Sequence, residues 1–338
     1  MIEKALGCML GGLIGDALGT PTENMRREEI RERFGWVSEF DSSGTDDTIM
    51  KDLLAETLIR TEGRATIDDW AATWVDRYGE IFGPKVGKFF PSVLHTAAKL
   101  RHRYAPRAVA LGNMPSSSSA MCISPVGVVN MLNPREAARQ AYELAALIHT
   151  YDVAFCCDGA ACMAAAVAAA FEPEASVASI VESAVETILP TSGREMLTTI
   201  DAVMNVARET GEFEAFAREM YRRETEFFRP IACDSRETVP LTLAILHLAD
   251  GDFERTVTYA ANFGRDADTI ASMAGAIVGA FLGADSIRPD WKEKATAVAG
   301  RDQDQLARDL VETARKKAER AQSASARALG ALGRDLRS

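Results

Sequence analysis

The chain has 338 residues, 47% of them hydrophobic and 26% charged, with 38 Lys+Arg against 49 Asp+Glu and a net charge of −11. That balance is ordinary for a folded protein and excludes a mainly disordered one. It also argues against a duplex nucleic acid partner, because binding phosphate backbones relies on clustered Lys/Arg that release counterions.

Met1 leads through Lys4 into a Gly-rich apolar stretch, Ala5 to Leu18, with no leader-type cleavage pattern. Asp16 interrupts that stretch, which is too short to span a bilayer, so no membrane partner is expected. Beyond it, apolar residues recur at three- and four-residue spacing over Ile67–Tyr78, Pro134–His149, Asp158–Phe171, Ser176–Leu189, Val239–Ala249 and Thr269–Leu282. Asn133 followed by Pro134 marks a helix start. No alternating strand pattern extends beyond a few residues, and the predicted class is all-α. The six cysteines have no CxxC spacing, and most sit in apolar or Ala-rich runs, which suits reduced thiols and a cytoplasmic location.

Gly7, Gly11, Gly15 and Gly19 form one row at every fourth position, and Gly275, Gly279 and Gly283 form another. Each glycine costs a helix about 1 kcal/mol relative to Ala, so the rows predict a partner backbone in close approach. If that packing joins the two ends of the chain, it does so around one site. From about Lys292 the composition shifts to Lys, Arg, Glu, Gln and Ala, with Leu306, Leu310 and Ala314 on one stripe and Glu312/Lys316 at i,i+4. This reads as amphipathic helix fraying after Ser323, and divides the chain into a helical domain 1–291 and an extension 292–338.

Two acidic clusters each open a helix. They are Thr45-Asp46-Asp47-Thr48, after Gly44, and Asp266-Ala267-Asp268-Thr269, after Gly264-Arg265. Alone, each can be a capped helix start whose carboxylates complement the helix dipole. Together they offer four carboxylates and threonine hydroxyls. If the helix starts converge, the carboxylates raise one another's pKa unless cations neutralise them. Two divalent ions balance the set, and oxygen-only ligation points to Mg²⁺, Mn²⁺ or Ca²⁺ rather than Zn²⁺.

The run Gly11-Gly12-Leu13-Ile14-Gly15-Asp16-Ala17-Leu18-Gly19-Thr20-Pro21-Thr22-Glu23, the two acidic clusters, His149 with Asp152, and Asn262 through Ala276 together resemble the ADP-ribosylglycohydrolases. The resemblance runs from Gly11 to about Trp291. It implies an orthogonal helical bundle with a dinuclear magnesium site, manganese being an alternative. Its implied metal ligands are Thr45, Asp46, Asp47, Asp266, Asp268 and Thr269. Glu23 lies on the loop that the resemblance puts near the metals, and with Asp46 and Asp47 it is the expected catalytic set. Breaking a ribosyl bond passes through an oxocarbenium-like state that needs negative charge, a positioned water and a protonated leaving group, which suits carboxylates of this kind.

One segment departs from the family's glycine-rich Met-Arg run. Here it reads Ser116-Ser117-Ser118-Ser119-Ala120-Met121-Cys122, so serines replace glycines and Cys122 stands where the guanidinium is usual. The expected substrate contacts are Ser117, Ser118, Ser119 and Met121, with His149 and Asp152. The implied substrate is a small-molecule or protein-linked ADP-ribosyl group. Loss of the guanidinium keeps open a ribosidase acting on a nucleoside or ribosylated metabolite without a diphosphate. A non-catalytic nucleotide-binding or structural member is the third alternative. Arg265, beside Asp266, either supplies the missing positive charge or pairs with a neighbouring carboxylate.

Overall fold

The opening helix, Ile2–Gly19, lies backbone to backbone against the helix Ala267–Leu282, and glycine permits it. A Cβ added to Gly7 would fall 2.3 Å from the Gly279 carbonyl oxygen, one on Gly11 2.1 Å from that of Gly275, and one on Gly15 2.0 Å from that of Ala271. No L side chain fits at such distances, so the two rows meet as their spacing predicts. Gly19 ends the row against the backbone of Asp268, whose Cα would be 2.4 Å from an added Cβ. The seam therefore carries the second acidic cluster to the end of the opening helix.

The computed structural model describes residues 1–335; 71% of the chain is helical, and no strand occurs among the described residues. Phe155–Ala170 is buried along nearly its whole length, because alanine and cysteine are small enough for helices to pack on every side. Pro134–Ala145 packs on it, and Ser235–Leu248 and Phe253–Phe263 pack on Ala267–Leu282. No helix among the described residues is long and apolar enough to cross a membrane.

Element boundaries differ from the periodicity in two informative places. The helix beginning at Pro134 ends at Ala145, and the chain then turns so that His149 points inward. The helix expected from Val239 begins at Ser235, with Asp234 capping it by accepting from Arg236 N at 2.9 Å, and it accommodates Pro240. Its first turn is polar yet buried, so apolar spacing does not reveal it. Ser235 Oγ donates to the Ser116 carbonyl at 2.7 Å, and Glu237 holds Arg265.

Gln303–Asp335 is one continuous helix that runs past Ser323. Leu306, Ala307 and Leu310 are buried. Gln303 Nε2 donates to Asp52 Oδ2 at 3.0 Å, and the buried Lys51 donates to Gln303 Oε1 at 3.2 Å and to the Met9 carbonyl at 2.7 Å. These bonds tie the start of that helix to the opening helix and to Asp46–Arg60. From Ala318 to Leu332 its side chains are exposed.

Candidate metal centre and substrate cleft

The first N–H groups of a helix have no partner within it. At Asp46–Arg60 they are collected by a carboxylate from the opening helix. Asp16 accepts from Thr45 N at 2.8 and 2.9 Å, from Thr45 Oγ1 at 2.9 Å, from Thr48 N at 3.0 Å and from Thr48 Oγ1 at 2.6 Å. Gly44 makes this approach feasible: its φ is +72°, and a Cβ there would sit 2.2 Å from Asp16 Oδ2. In the sequence Asp16 interrupts an apolar helix and belongs to the opening motif, but neither feature assigns it a partner. The usable signal was there, since a lone charge in a buried small-residue helix requires a partner.

The second cluster follows two residues in the left-handed region, Gly264 (φ +86°) and Arg265 (φ +62°). Their backbone is clamped to the loop after the opening helix, with Asn24 N donating to the Arg265 carbonyl at 2.6 Å and Arg265 N to that of Met25 at 2.9 Å. The Arg265 guanidinium donates to Glu237 at 2.7 and 2.9 Å and to the Arg229 carbonyl at 2.7 Å, and lies over the Phe228 ring. It pairs with a carboxylate and is not offered to the cleft.

The two helix starts converge. One ligand atom from each of Asp16, Asp47 and Asp268 lies within 4.8 Å of the others. Thr45 caps the first helix with its hydroxyl 3.3 Å from Asp47 Oδ2, and Thr269 Oγ1 donates to the same oxygen at 3.3 Å. Burial, and then the charge of neighbouring carboxylates, pushes Asp46, Asp47 and Asp268 well above the usual carboxylate range. Burial likewise lifts Asp266 to about 7, against a hydrogen bond from Ser117 Oγ at 3.1 Å. Asp47 Oδ1 and Asp268 Oδ1 are buried and have no hydrogen-bond partner among the described residues. Buried anionic oxygens without donors, all hard and closely spaced, fit a divalent cation.

Above this floor lies a cleft of about 420 Å³. Glu23, Asp46, Asp47, Asp266, Asp268 and Thr269 line its acidic side, and Ser117, Ser118 and Met121 line another wall. Thr45 is buried behind the floor. Ser119, in the same loop, and His149 do not line the cleft; they bond to each other and to the loop instead: His149 Nε2 is 2.9 Å from Ser116 Oγ, and Nδ1 is 2.9 Å from Ser119 Oγ. Burial pulls the imidazole down to about 3, so it is neutral and acts as a prop for the loop. Cys122 is also buried, its thiol 3.6 Å from the Ser118 and Ser119 carbonyls. Asp152 is exposed on the turn Tyr151–Val153 and does not line the cleft.

Pro230-Ile231-Ala232-Cys233 and Gly87-Lys88-Phe89-Phe90-Pro91 also line the cleft, and neither segment carries a motif in the sequence. Lys88 Nζ donates to Glu23 Oε2 at 2.8 Å, and Asn24 Nδ2 donates to Glu23 Oε1 at 3.1 Å. No pattern in the sequence marks a lysine in a short turn, so only the fold brings it to Glu23.

The ADP-ribosylglycohydrolase family model matches residues 1–320. Among similar proteins, the uncharacterized protein YegU of Escherichia coli (strain K12) is 26% identical over 324 residues, covering 88% of this chain and 92% of that one. ADP-ribosylhydrolase ARH3 of Gallus gallus is 21% identical over 336 residues, covering 86% and 88%. A solved structure described as an ADP-ribosylglycohydrolase-related protein complex superposes with a TM-score of 0.67 at 18% identity, covering 93% of this chain and 98% of the other, a likeness of fold. Since the family's pattern extends from the glycine seam through both acidic helix starts and on into the terminal helix, the chain belongs to the ADP-ribosylglycohydrolase family.

Proposed function

We propose that this protein is a magnesium-dependent glycohydrolase that cleaves the bond at the anomeric carbon of a ribose and releases ADP-ribose from a protein or a small molecule. Family membership supports the glycohydrolase chemistry. The observation that carries the metal requirement is the pair of buried, partnerless oxygens on Asp47 and Asp268, among carboxylates held above their ordinary range. Thr45, Asp46, Asp47, Asp266, Asp268 and Thr269 would hold two Mg²⁺ ions, with Mn²⁺ as a substitute. Bound there, the cations supply Lewis acidity that orders ribose hydroxyls and acidifies a water.

The chain's own groups do the rest. Asp16 fixes the first helix start, so Asp46 and Asp47 present their oxygens without rearrangement. Ser117 orients Asp266. Glu23, on the cleft rim, is the carboxylate free of the floor and the candidate to take a proton from the attacking water. The floor's negative charge favours the positive charge that develops on the ribose ring. The six cysteines are unpaired, which suits the reducing cytoplasm.

A second reading, a ribosidase for substrates without a diphosphate, draws on the neutral hydroxyl wall at Ser117 and Ser118 and the burial of Cys122. The test is a panel of ADP-ribosyl and ribosyl compounds with Mg²⁺, following release of ADP-ribose or ribose. The expected result is turnover that EDTA removes and that Glu23→Gln lowers mainly in kcat. Full activity after EDTA treatment overturns the metal requirement, and a change in KM alone makes Glu23 a ribose contact.

A further inference from the structure

Among the described residues lining the cleft, five carry carboxylates and one, Lys88, carries a positive charge. The other cations nearby are committed elsewhere. Arg265 is held by Glu237 and the Arg229 carbonyl, and Lys85 Nζ donates to Ser43 Oγ and the Gly44 carbonyl. Lys88 differs in that its one partner is Glu23, which the hydrolytic reading needs at the reacting ribose. Both side chains remain partly open to solvent, 40% for Lys88 and 24% for Glu23. Pairs of this exposure are held weakly, so the two groups can exchange partners at little cost. Gly87, next to Lys88, faces open space, with nothing within 4 Å of a Cβ added there.

We infer that Lys88 is a specificity-determining residue of this cleft, which releases Glu23 and binds the phosphate oxygens of a diphosphate-bearing substrate. The inference rests on the glycohydrolase reading and decides between its two substrate classes. The serine wall can give a diphosphate only neutral hydrogen bonds, whereas an ammonium gives charge-assisted ones that are roughly twice as strong. A substrate without phosphate has nothing to offer Lys88 and leaves Glu23 where it is. The diphosphate thus does two things at once: it gains the one cation on the wall, and it frees the carboxylate required for the attack.

The experiment is calorimetric titration of the Mg²⁺-loaded full chain with ADP-ribose, ribose and inorganic phosphate, in wild type, Lys88→Met and Lys88→Arg. Lys88→Met is expected to weaken ADP-ribose about tenfold to a hundredfold, the effect of losing a hydrogen bond between charged groups. Ribose affinity stays within twofold, Lys88→Arg restores most of the ADP-ribose affinity, and the salt dependence of ADP-ribose binding becomes shallower in Lys88→Met. Equal weakening of ADP-ribose and ribose, or none in either, overturns the inference and leaves the hydrolase reading standing. Inorganic phosphate binding as tightly as ADP-ribose in a Lys88-dependent way also overturns it, since the site would then hold a free anion. Wild type that binds neither ADP-ribose nor ribose defeats the hydrolase reading itself, and the inference with it.

Discussion

Between Gly7 and Gly15 the opening helix meets its partner with no room for one added carbon, whereas past Gly19 the same helix pair reaches Asp268, whose Oδ1 is buried without a partner. Both regions are buried to a similar degree, so exposure does not separate them. They differ in how far local contacts are satisfied. The seam is built from groups that want only proximity, and the floor from groups that want charge. A fold can hold such a floor only when the adjoining packing over-determines it, and here the seam supplies that constraint.

The most severe way to break the comparison is to add a carbon to the seam. Gly15→Ala places a methyl 2.0 Å from the Ala271 carbonyl oxygen, a backbone atom that cannot rotate away. The expected loss is about 5 kcal/mol or more, at the far end of what single substitutions do. Circular dichroism and thermal melting should show an unfolded or insoluble chain. A melting temperature within a few degrees of wild type would mean that the two helices separate freely.

The floor should respond in the opposite direction. Asp46, Asp47, Asp266 and Asp268 have folded-state pKa values raised by burial and mutual charge. A raised carboxylate binds more protons folded than unfolded, so its contribution to stability is complete below the unfolded value near 4 and is lost as pH rises through the folded one. Asp266, moving from 3.8 to about 7, accounts for on the order of 4 kcal/mol across that interval. Metal-free protein should therefore melt at lower temperature as pH climbs from 5 to 8, and Mg²⁺ or Mn²⁺ should restore more stability the higher the pH. Asp268→Asn removes one charge at nearly constant volume. It is expected to melt higher than wild type without metal and to lose the metal-induced rise, both visible in one set of melts with and without EDTA. An undiminished metal response in Asp268→Asn would remove Asp268 from the ligand set.

The seam and the floor were both legible in the sequence because each depends on a local, repeated signature. Glycine at every fourth position has few other causes than close helix contact, and Thr-Asp-Asp at a helix start announces its carboxylates and its cap together. What was not legible depends on tertiary partners. Asp16 stands in the middle of the seam, and its role exists only because Gly44 lets the loop before Asp46 fold over it. Lys88 belongs to a turn whose neighbours in sequence say nothing about Glu23, 65 residues away. The buried polar first turn at Ser235 escaped because periodicity counts apolar residues, while Ser235 and Glu237 are buried to hold the serine loop and Arg265.

The serine loop gives a smaller test of the same contrast, for it is satisfied by a side chain where the floor is not. His149→Leu removes the imidazole bonds to Ser116 and Ser119, leaving Ser116 Oγ with Ser118 Oγ at 2.9 Å and Ser119 Oγ with the Cys156 carbonyl at 3.3 Å. A cost of about 2 kcal/mol is expected, with KM raised more than kcat is lowered, because Ser117 and Ser118 would shift on the cleft wall. The pH signature separates it from the floor. A His held neutral, at about 3 against 6.5 unfolded, contributes stability that is complete above 6.5 and lost as pH falls toward 3. Above pH 6.5 its contribution is nearly constant, so the slope there belongs to the raised carboxylates and, toward pH 8, to the buried cysteine thiols, which burial also raises. If the wild-type slope there vanishes in His149→Leu, the assignment of the slope to the floor is wrong.

The smallest expected effect concerns the neighbour that shares His149's motif. Asp152 lies three residues on, but the chain has turned by then, and the carboxylate is exposed on Tyr151–Val153 while the imidazole is buried. The resemblance that singled out the two residues together gives them one role; the fold separates them. Among the described residues Asp152 has no side-chain hydrogen bond or ion pair, and it is absent from the cleft wall. An exposed carboxylate of this kind is worth within about 0.5 kcal/mol to stability. Asp152→Asn should therefore leave the melting temperature and the kcat for an ADP-ribosyl compound at wild-type values, and KM within twofold. A larger rise in KM, with stability unchanged, would show that the turn reaches the substrate's far end and that the cleft extends beyond the walls described, toward Tyr151.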